Sequence, residues 1–359
     1  MRQTKQLFFL WAAASLPLAC SLDQDAGEGT QYSEHVAVVV NQGNYSEKNG
    51  SISYFYEDSK AMQNGVVENL GSLVQSAALT ENGNMFIVCN APDKLEVVDN
   101  AANATLTRYS ITNALLVNPR YLAWNNDYLF VTNWGNGVGT DWITYPQSYV
   151  LVLTRDKAHA FVKQIECGSD AEDIVLVNDK LYVAVAEGVA VIPIKDMGTT
   201  ADATPEKIIT APTYTGAKHF IVDDGKRLWV SYSDFGLAEI DLSTETVVGE
   251  YKVPIDWMGQ IAVNPTTQKI YTYNTDYSAQ TSAIYEFDMA KHTYKTFAAG
   301  SYFYSIGVSP WSQHVYTSEA NNFTSNSELL VFDANGNKLE NYLTGIGTCD
   351  FEYFTISTE

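Results

Sequence analysis

One pattern returns along this chain often enough to decide its architecture. It is a short strand of small and apolar residues, a turn, a β-rich strand carrying an aromatic, a polar loop, and a third alternating strand. The clearest copies are QIAVNPTTQKIYTYNTD (Gln260–Asp276) and SIGVSPWSQHVYTSEAN (Ser305–Asn321). Others open at Gln75, Arg120, Glu172 and His219. Aligned on the aromatic of the second strand (Phe86, Phe130, Tyr182, Trp229, Tyr271 and Tyr316), they step by 44, 52, 47, 42 and 45 residues. That is the length of a four-stranded propeller blade.

The two ends of the chain set the number of blades. HVAVVVNQGN (His35–Asn44) reads as a second strand and SISYFYE (Ser51–Glu57) as a third, with no first strand before them. CDFEYFTIS (Cys349–Ser357) follows a complete sixth copy and reads as a lone first strand. The C-terminal strand therefore completes the first blade, which closes the ring and removes two open edges. The expected fold is all-β, a seven-bladed β-propeller in one domain spanning 35–359, at about 46 residues per blade. Turn chemistry agrees: DANGNKL (Asp333–Leu339), VNDKL (Val177–Leu181) and VDDGKRL (Val222–Leu228) carry the Asn, Asp and Gly that tight hairpins need. No segment reads as a helix of useful length.

Residues 1–19 stand outside this pattern. Arg2 and Lys5 precede a twelve-residue apolar run from Leu7 to Leu18, too short to span a bilayer and suited to a signal peptide. The run meets Leu18-Ala19-Cys20, which resembles a lipobox, so Cys20 is the expected lipidation site; ordinary secretory cleavage nearby is the alternative. Residues 20–34 read as a polar, acidic tether, and the mature chain is expected to meet the membrane through its lipid anchor only. Cys89, Cys167 and Cys349 remain, with no zinc or redox spacing among them. Cys89, in MFIVCN, is expected to be a small core residue, and a single disulfide among the three stays open.

Charge excludes one class of partner. Lys and Arg number 21 against 42 Asp and Glu, a formal charge of −21, with no basic stripe to offset it, so no nucleic acid is expected. Catalytic signatures are also missing. The glycines of GNGVG (Gly135–Gly139) do not lie between a strand and a helix, and the five His show no HxxH or HExxH spacing. DANGN lacks the acidic twelfth residue of a calcium loop, and there is no GxSxG elbow. No metal or cofactor is expected.

What stands out is positional. The residues opening the first strands are Gln75, Arg120, Glu172, His219, Gln260, Ser305 and Asp350, all polar, and in a propeller they gather at one mouth of the central channel. Such a ring suits a polar small molecule, though any channel mouth is wet. The same face receives the loops between second and third strands, which carry Tyr45, Trp134, Trp142, Tyr145, Phe235, Tyr277 and Phe323, and the segments between blades add Trp257, Tyr302 and Phe303. Aromatics gathered on one face make a binding surface, since they bury much area at low entropic cost. The expected ligand-binding set is the polar ring with Trp134, Trp257 and Tyr302.

The stretch VVVNQGNYSEKNGSISYFYED (Val38–Asp58) resembles the opening of the YVTN-type seven-bladed propeller surface lipoproteins of Bacteroidota, in which an N-(E/Q)-G-(N)-(F/Y) segment precedes a run of the type SISYY. NPRYLAW (Asn118–Trp124) is similar to that family's PRY strand start, and LVQSAAL (Leu73–Leu79) to another. The likeness runs from His35 to Phe354. It implies a lipid-anchored, surface-exposed protein of the cell outer membrane; some members bind cobalamin and cap a TonB-dependent transporter, others belong to surface layers. The leading expectation is a non-catalytic protein that captures a small molecule, with a corrinoid the best single guess, and hands it to such a transporter. The alternatives are a propeller enzyme of lactonase or lyase type using Glu172, Asp350 and His219, and a protein-interaction or surface-layer module.

Overall fold

The computed structural model describes residues 32–103, 108–139, 143–195, 197–198, 204–224, 226–234, 236–253 and 259–358. Signal peptide, tether residues 20–31 with Cys20, Trp142, Phe235 and Trp257 fall outside the described residues, while Tyr32–Glu34, expected to be tether, already belong to the strand Tyr32–Asn41. The strands form seven sheets of four antiparallel strands each, joined in a ring. Six blades follow one another in the chain, their innermost strands being Leu73–Leu79 (blade 2), Pro119–Trp124 (blade 3), Ile174–Val177 (blade 4), Ala217–Asp223 (blade 5), Ile261–Asn264 (blade 6) and Phe303–Val308 (blade 7). Among the described residues the only helical segments are two single 3-10 turns, and no helix is long and apolar enough to cross a membrane.

Blade 1 is built from both ends of the chain. The C-terminal strand Thr348–Thr358 lies innermost and pairs with Tyr32–Asn41, with Phe354 opposite Val36 and Asp350 opposite Val40. The register shifts by one after Val40, where Asn41 meets Thr348. Asn41 is fully buried and fastens that irregularity: its amide donates to Ser53 Oγ at 3.0 Å and its carbonyl accepts from Thr344 and Thr348 hydroxyls at 3.0 and 2.8 Å.

Strand position in the blade explains the sequence pattern. Second strands face a neighbouring blade on each side, so Val36–Val40 and Leu181–Val185 are apolar on both faces and buried. Fourth strands form the rim and alternate, as in Thr246–Lys252 and Lys338–Leu343. The core is a set of layers between blades; Tyr182, Phe220, Val230 and Tyr232 fill the layer between blades 4 and 5. Val177–Lys180 closes through Asn178 and Asp179 with φ of 50° and 60°, the left-handed pair a two-residue hairpin requires. Cys89, Cys167 and Cys349 are all free and buried in these layers, so the open disulfide question resolves to three thiols. Burial pushes the Cys89 thiol up to about 12.

Candidate functional site

First-strand starts, loops between second and third strands, and the links between blades all lie on one face of the ring, called here the loop face; the hairpin turns lie on the other. At the loop face the polar strand starts of blades 2 to 5 meet one another. Arg120 grips Glu172 across two blades, Nε to Oε2 at 2.9 Å and Nη2 to Oε1 at 3.3 Å, and its Nη1 donates to Gln75 Oε1 at 2.5 Å. Lys218 reaches Glu172 Oε1 at 3.4 Å. Gln260 of blade 6 crosses to blade 1, where its amide donates to the Cys349 carbonyl at 2.8 Å. These groups form a polar plug at this end of the channel.

The remaining ring members are placed differently. Ser305 is fully buried inside blade 7, donating to Ser318 Oγ at 2.9 Å. Asp350 accepts the Ala77 backbone N–H at 3.3 Å and so latches blade 1 to blade 2. Asp173 does the same for blades 4 and 5, accepting from Phe220 N–H at 3.0 Å. His219 lies edge-on to Tyr121, with Nδ1 3.9 Å from Asp173 Oδ2.

These two latches correct the alignment. Ala77 and Phe220 occupy matching places, so the match to Gln75 is Lys218 rather than His219; Asp173 and Asp350 match, so Cys349 stands where blade 4 has Glu172. A one-residue offset turns a strand residue to the other face of the sheet. Lys218 was the member sequence reading missed, and its signal was its place two residues before a buried aromatic. Tyr304 and Tyr273 were missed too: Tyr273 donates to the Tyr304 carbonyl at 2.6 Å, and Tyr304 donates to Gln42 Oε1 at 2.7 Å. Burial pushes both phenols well up, so they serve as neutral donors. Burial, then the Asp350 carboxylate, also holds the Cys349 thiol protonated.

Above the plug sits an aromatic layer. Trp134 lies with its ring 3.9 Å from the Arg120 guanidinium carbon, a cation–π contact, and stacks on Tyr145 at 4.5 Å. Tyr302, at a φ of 51° in the link to blade 7, packs against Tyr277 at 6.3 Å. Tyr45 and Tyr277 are 70% and 56% exposed, and Val138 and Ile143 project beside Trp134 at 52% and 62%. Phe303 differs from expectation, being fully buried between blades 6 and 7. Two buried polar atoms at this mouth have no hydrogen-bond partner, Trp134 Nε1 and Gln260 Oε1.

Below the plug the channel widens into a cavity of about 440 Å³ that runs from Ser76, Tyr121 and Asp173 to the turns at Asn125–Asp127 and Asp179. Among the described residues no cluster of three or more His, Cys, Asp or Glu could hold a metal ion. The arrangement can grip a ligand with hydrogen bonds and flat walls. The carboxylate in the plug, Glu172, is committed to two cations.

No family model matches the chain, and no curated protein matches it. Solved structures do. The periplasmic gluconolactonase of Pseudomonas aeruginosa superposes with a TM-score of 0.68 at 11% identity, covering 90% of this chain and 99% of that one. A protein from Lactobacillus plantarum gives 0.63 at 15% identity, covering 90% and 100%. AztD from Citrobacter koseri gives 0.57 at 9% identity, covering 91% and 99%. At these identities the likeness establishes the β-propeller fold and leaves the lipoprotein resemblance resting on its quoted motifs.

Proposed function

We propose that this chain is a non-catalytic ligand-capture protein, lipidated at Cys20 and displayed on the outer membrane, that seats a flat, amide-bearing small molecule of corrinoid type on its loop face and passes it to a TonB-dependent transporter. The observation that carries the reading is the Arg120–Trp134 stack, rimmed by exposed Tyr45, Ile143 and Tyr277 and flanked by the unpartnered Trp134 Nε1 and Gln260 Oε1. A donor and an acceptor buried without partners are costly unless something brought to the mouth satisfies them. Side-chain amides, which both donate and accept, do so, and a large ring covers the aromatic rim. The acidic surface does not oppose a largely neutral ligand.

A second reading is a lactonase, favoured by the superposition on the periplasmic gluconolactonase. It would use Glu172, Asp350 and His219, of which the first is held by Arg120 and Lys218 and the second by a backbone N–H.

Titration calorimetry of cyanocobalamin into the purified protein tests both. Binding at micromolar concentration is expected, weakened at least about tenfold by Arg120→Ala, Trp134→Ala or Trp257→Ala, the loss typical of a central anchor, and unchanged by Asn335→Ala at a turn of the opposite face. Absence of binding overturns the corrinoid assignment, and turnover of gluconolactone would put the enzyme reading ahead.

A further inference from the structure

Charge is divided across the polar plug. Below it the channel is walled by Asp173, Asp179 and Glu352, with Asp350 on the side of blades 5 to 7, and among the described residues lining it there is no Lys or Arg. In the plug the sign reverses: two cations, Arg120 and Lys218, share the one carboxylate of Glu172. The sharing is uneven. Oε2 receives Arg120 Nε at 2.9 Å, whereas Oε1 is approached by Arg120 Nη2 at 3.3 Å and Lys218 Nζ at 3.4 Å. A charge-assisted N–H···O contact settles at about 2.7–2.9 Å, so Lys218 is loosely held.

That contact is the one side-chain hydrogen bond Lys218 makes among the described residues, and an ammonium group has three N–H donors. Its side chain is 25% exposed, so water serves the remaining donors. Trp134 adds another: its ring lies 3.9 Å from the Arg120 guanidinium carbon, and its Nε1–H has no partner among the described residues. The unpartnered acceptor of this mouth, Gln260 Oε1, is neutral and leaves the charge as it is. A flat ligand that covers the aromatic rim displaces the water on which Lys218 depends. An ammonium group stripped of water and given no anion is strongly disfavoured, whereas an anionic oxygen on the ligand replaces the lost hydration.

We propose that the loop-face ligand carries an anionic oxygen, as in a phosphate ester, to which Lys218 Nζ donates while the flat body of the ligand covers Trp134. The inference rests on the loop-face capture reading above and narrows its ligand to ring systems bearing a negative group. Lys218 selects that group as a point charge, and Arg120, held by Glu172 and Gln75, supplies the fixed platform beside it. The carboxylates below the plug keep the anion at the mouth and out of the channel.

Two probe pairs, titrated calorimetrically into the full chain at pH 7, test it: cyanocobalamin, which carries a phosphodiester, against dicyanocobinamide, the same ring without it, and flavin mononucleotide against riboflavin. The phosphate-bearing member of each pair should bind at least about tenfold more tightly. Lys218→Met should weaken that member at least about tenfold and change the phosphate-free one less than about twofold, while Lys218→Arg retains the preference. Raising NaCl from about 0.05 to 0.5 M should weaken the phosphate-bearing members alone. Cyanocobalamin binding that ignores Lys218→Met overturns this inference and leaves the corrinoid reading standing. Flavin mononucleotide binding that depends on Lys218, with neither corrinoid bound, supports the inference and overturns the corrinoid reading. No binding of either phosphate-bearing probe up to about 1 mM overturns both. Should Lys218→Met fail to fold, the contrast between flavin mononucleotide and riboflavin on the wild-type chain and its salt dependence decide it in the same way.

Discussion

Removing residues 348–359 should cost this protein its folded monomer, and the structure gives the size of the effect. The lost strand carries Cys349, Phe351 and Phe354, which are 7%, 6% and 4% exposed between blades 7, 1 and 2. Truncating a buried Phe to Ala costs about 3–5 kcal/mol, so the two rings alone amount to roughly 6–10 kcal/mol. A domain's whole stability is about 5–15 kcal/mol. The deletion also strips the partner from Tyr32–Asn41, whose backbone groups would then face water as an open edge, and removes the Thr348 hydroxyl from Asn41. The expected outcome is insoluble or multimeric protein by size-exclusion chromatography, with no cooperative urea transition at the wild-type midpoint. A peptide matching Thr348–Thr358, added during refolding, should restore soluble monomer, because it supplies the missing strand in register. A truncated chain that elutes as a monomer and unfolds cooperatively near the wild-type midpoint would refute the reasoning.

Two further outcomes can be checked. Cys20→Ala should move the protein from the membrane fraction to the soluble fraction on cell fractionation, since the apolar segment before it is expected to be removed; retention after washing would point to a protein anchor. His159, buried against Phe86 with Nε2 2.9 Å from the Tyr109 hydroxyl, has its pKa lowered by burial. The unfolded chain therefore binds that proton more readily, and thermal midpoints should fall as pH drops below the ordinary His value of about 6.5; His159→Gln should flatten that slope between pH 7 and 5.5.

The ring was legible because its determinants are local and repeated. An aromatic in the second strand of blades 2 to 7, an Asn or Asp pair at a hairpin tip, and an incomplete blade at each end of the chain each mark one place in the ring. Closure followed from counting, since Cys349–Ser357 had no partner in its own neighbourhood. The mouth was legible only as a zone. Sequence can say that Gln75, Arg120 and Glu172 begin adjacent strands, but the hydrogen bonds that join them span 45 and 52 residues and depend on a side-chain register set by tertiary latches. The His219/Lys218 offset shows the limit: both are polar neighbours, and only the Phe220 N–H bound to Asp173 fixes which of them matches Gln75.

The plug itself answers whether polar residues at the channel mouth serve stability or recognition. Arg120 and Glu172 have side chains only 14% and 7% exposed, so each has lost most of its hydration and depends on the other. Glu172→Leu would leave Arg120 and Lys218 facing one another with no carboxylate between them, a loss of about 3–5 kcal/mol for a broken buried pair. Arg120→Met would strand Glu172 with only the longer contact from Lys218. Replacing both by apolar residues of similar volume removes the two buried charges together and leaves only Lys218, 25% exposed, without its carboxylate; exchanges of a buried pair for apolar residues are often neutral or stabilising. Urea unfolding of the two single variants and the double variant should therefore show a coupling of about 1–3 kcal/mol, the double variant being more stable than Glu172→Leu alone. If the single costs simply add, the two groups do not depend on each other and the plug is only a meeting of surface side chains. A double variant that folds as well as the wild type yet no longer binds a ligand on the loop face would show that the pair is retained for recognition, since stability would then be available without it.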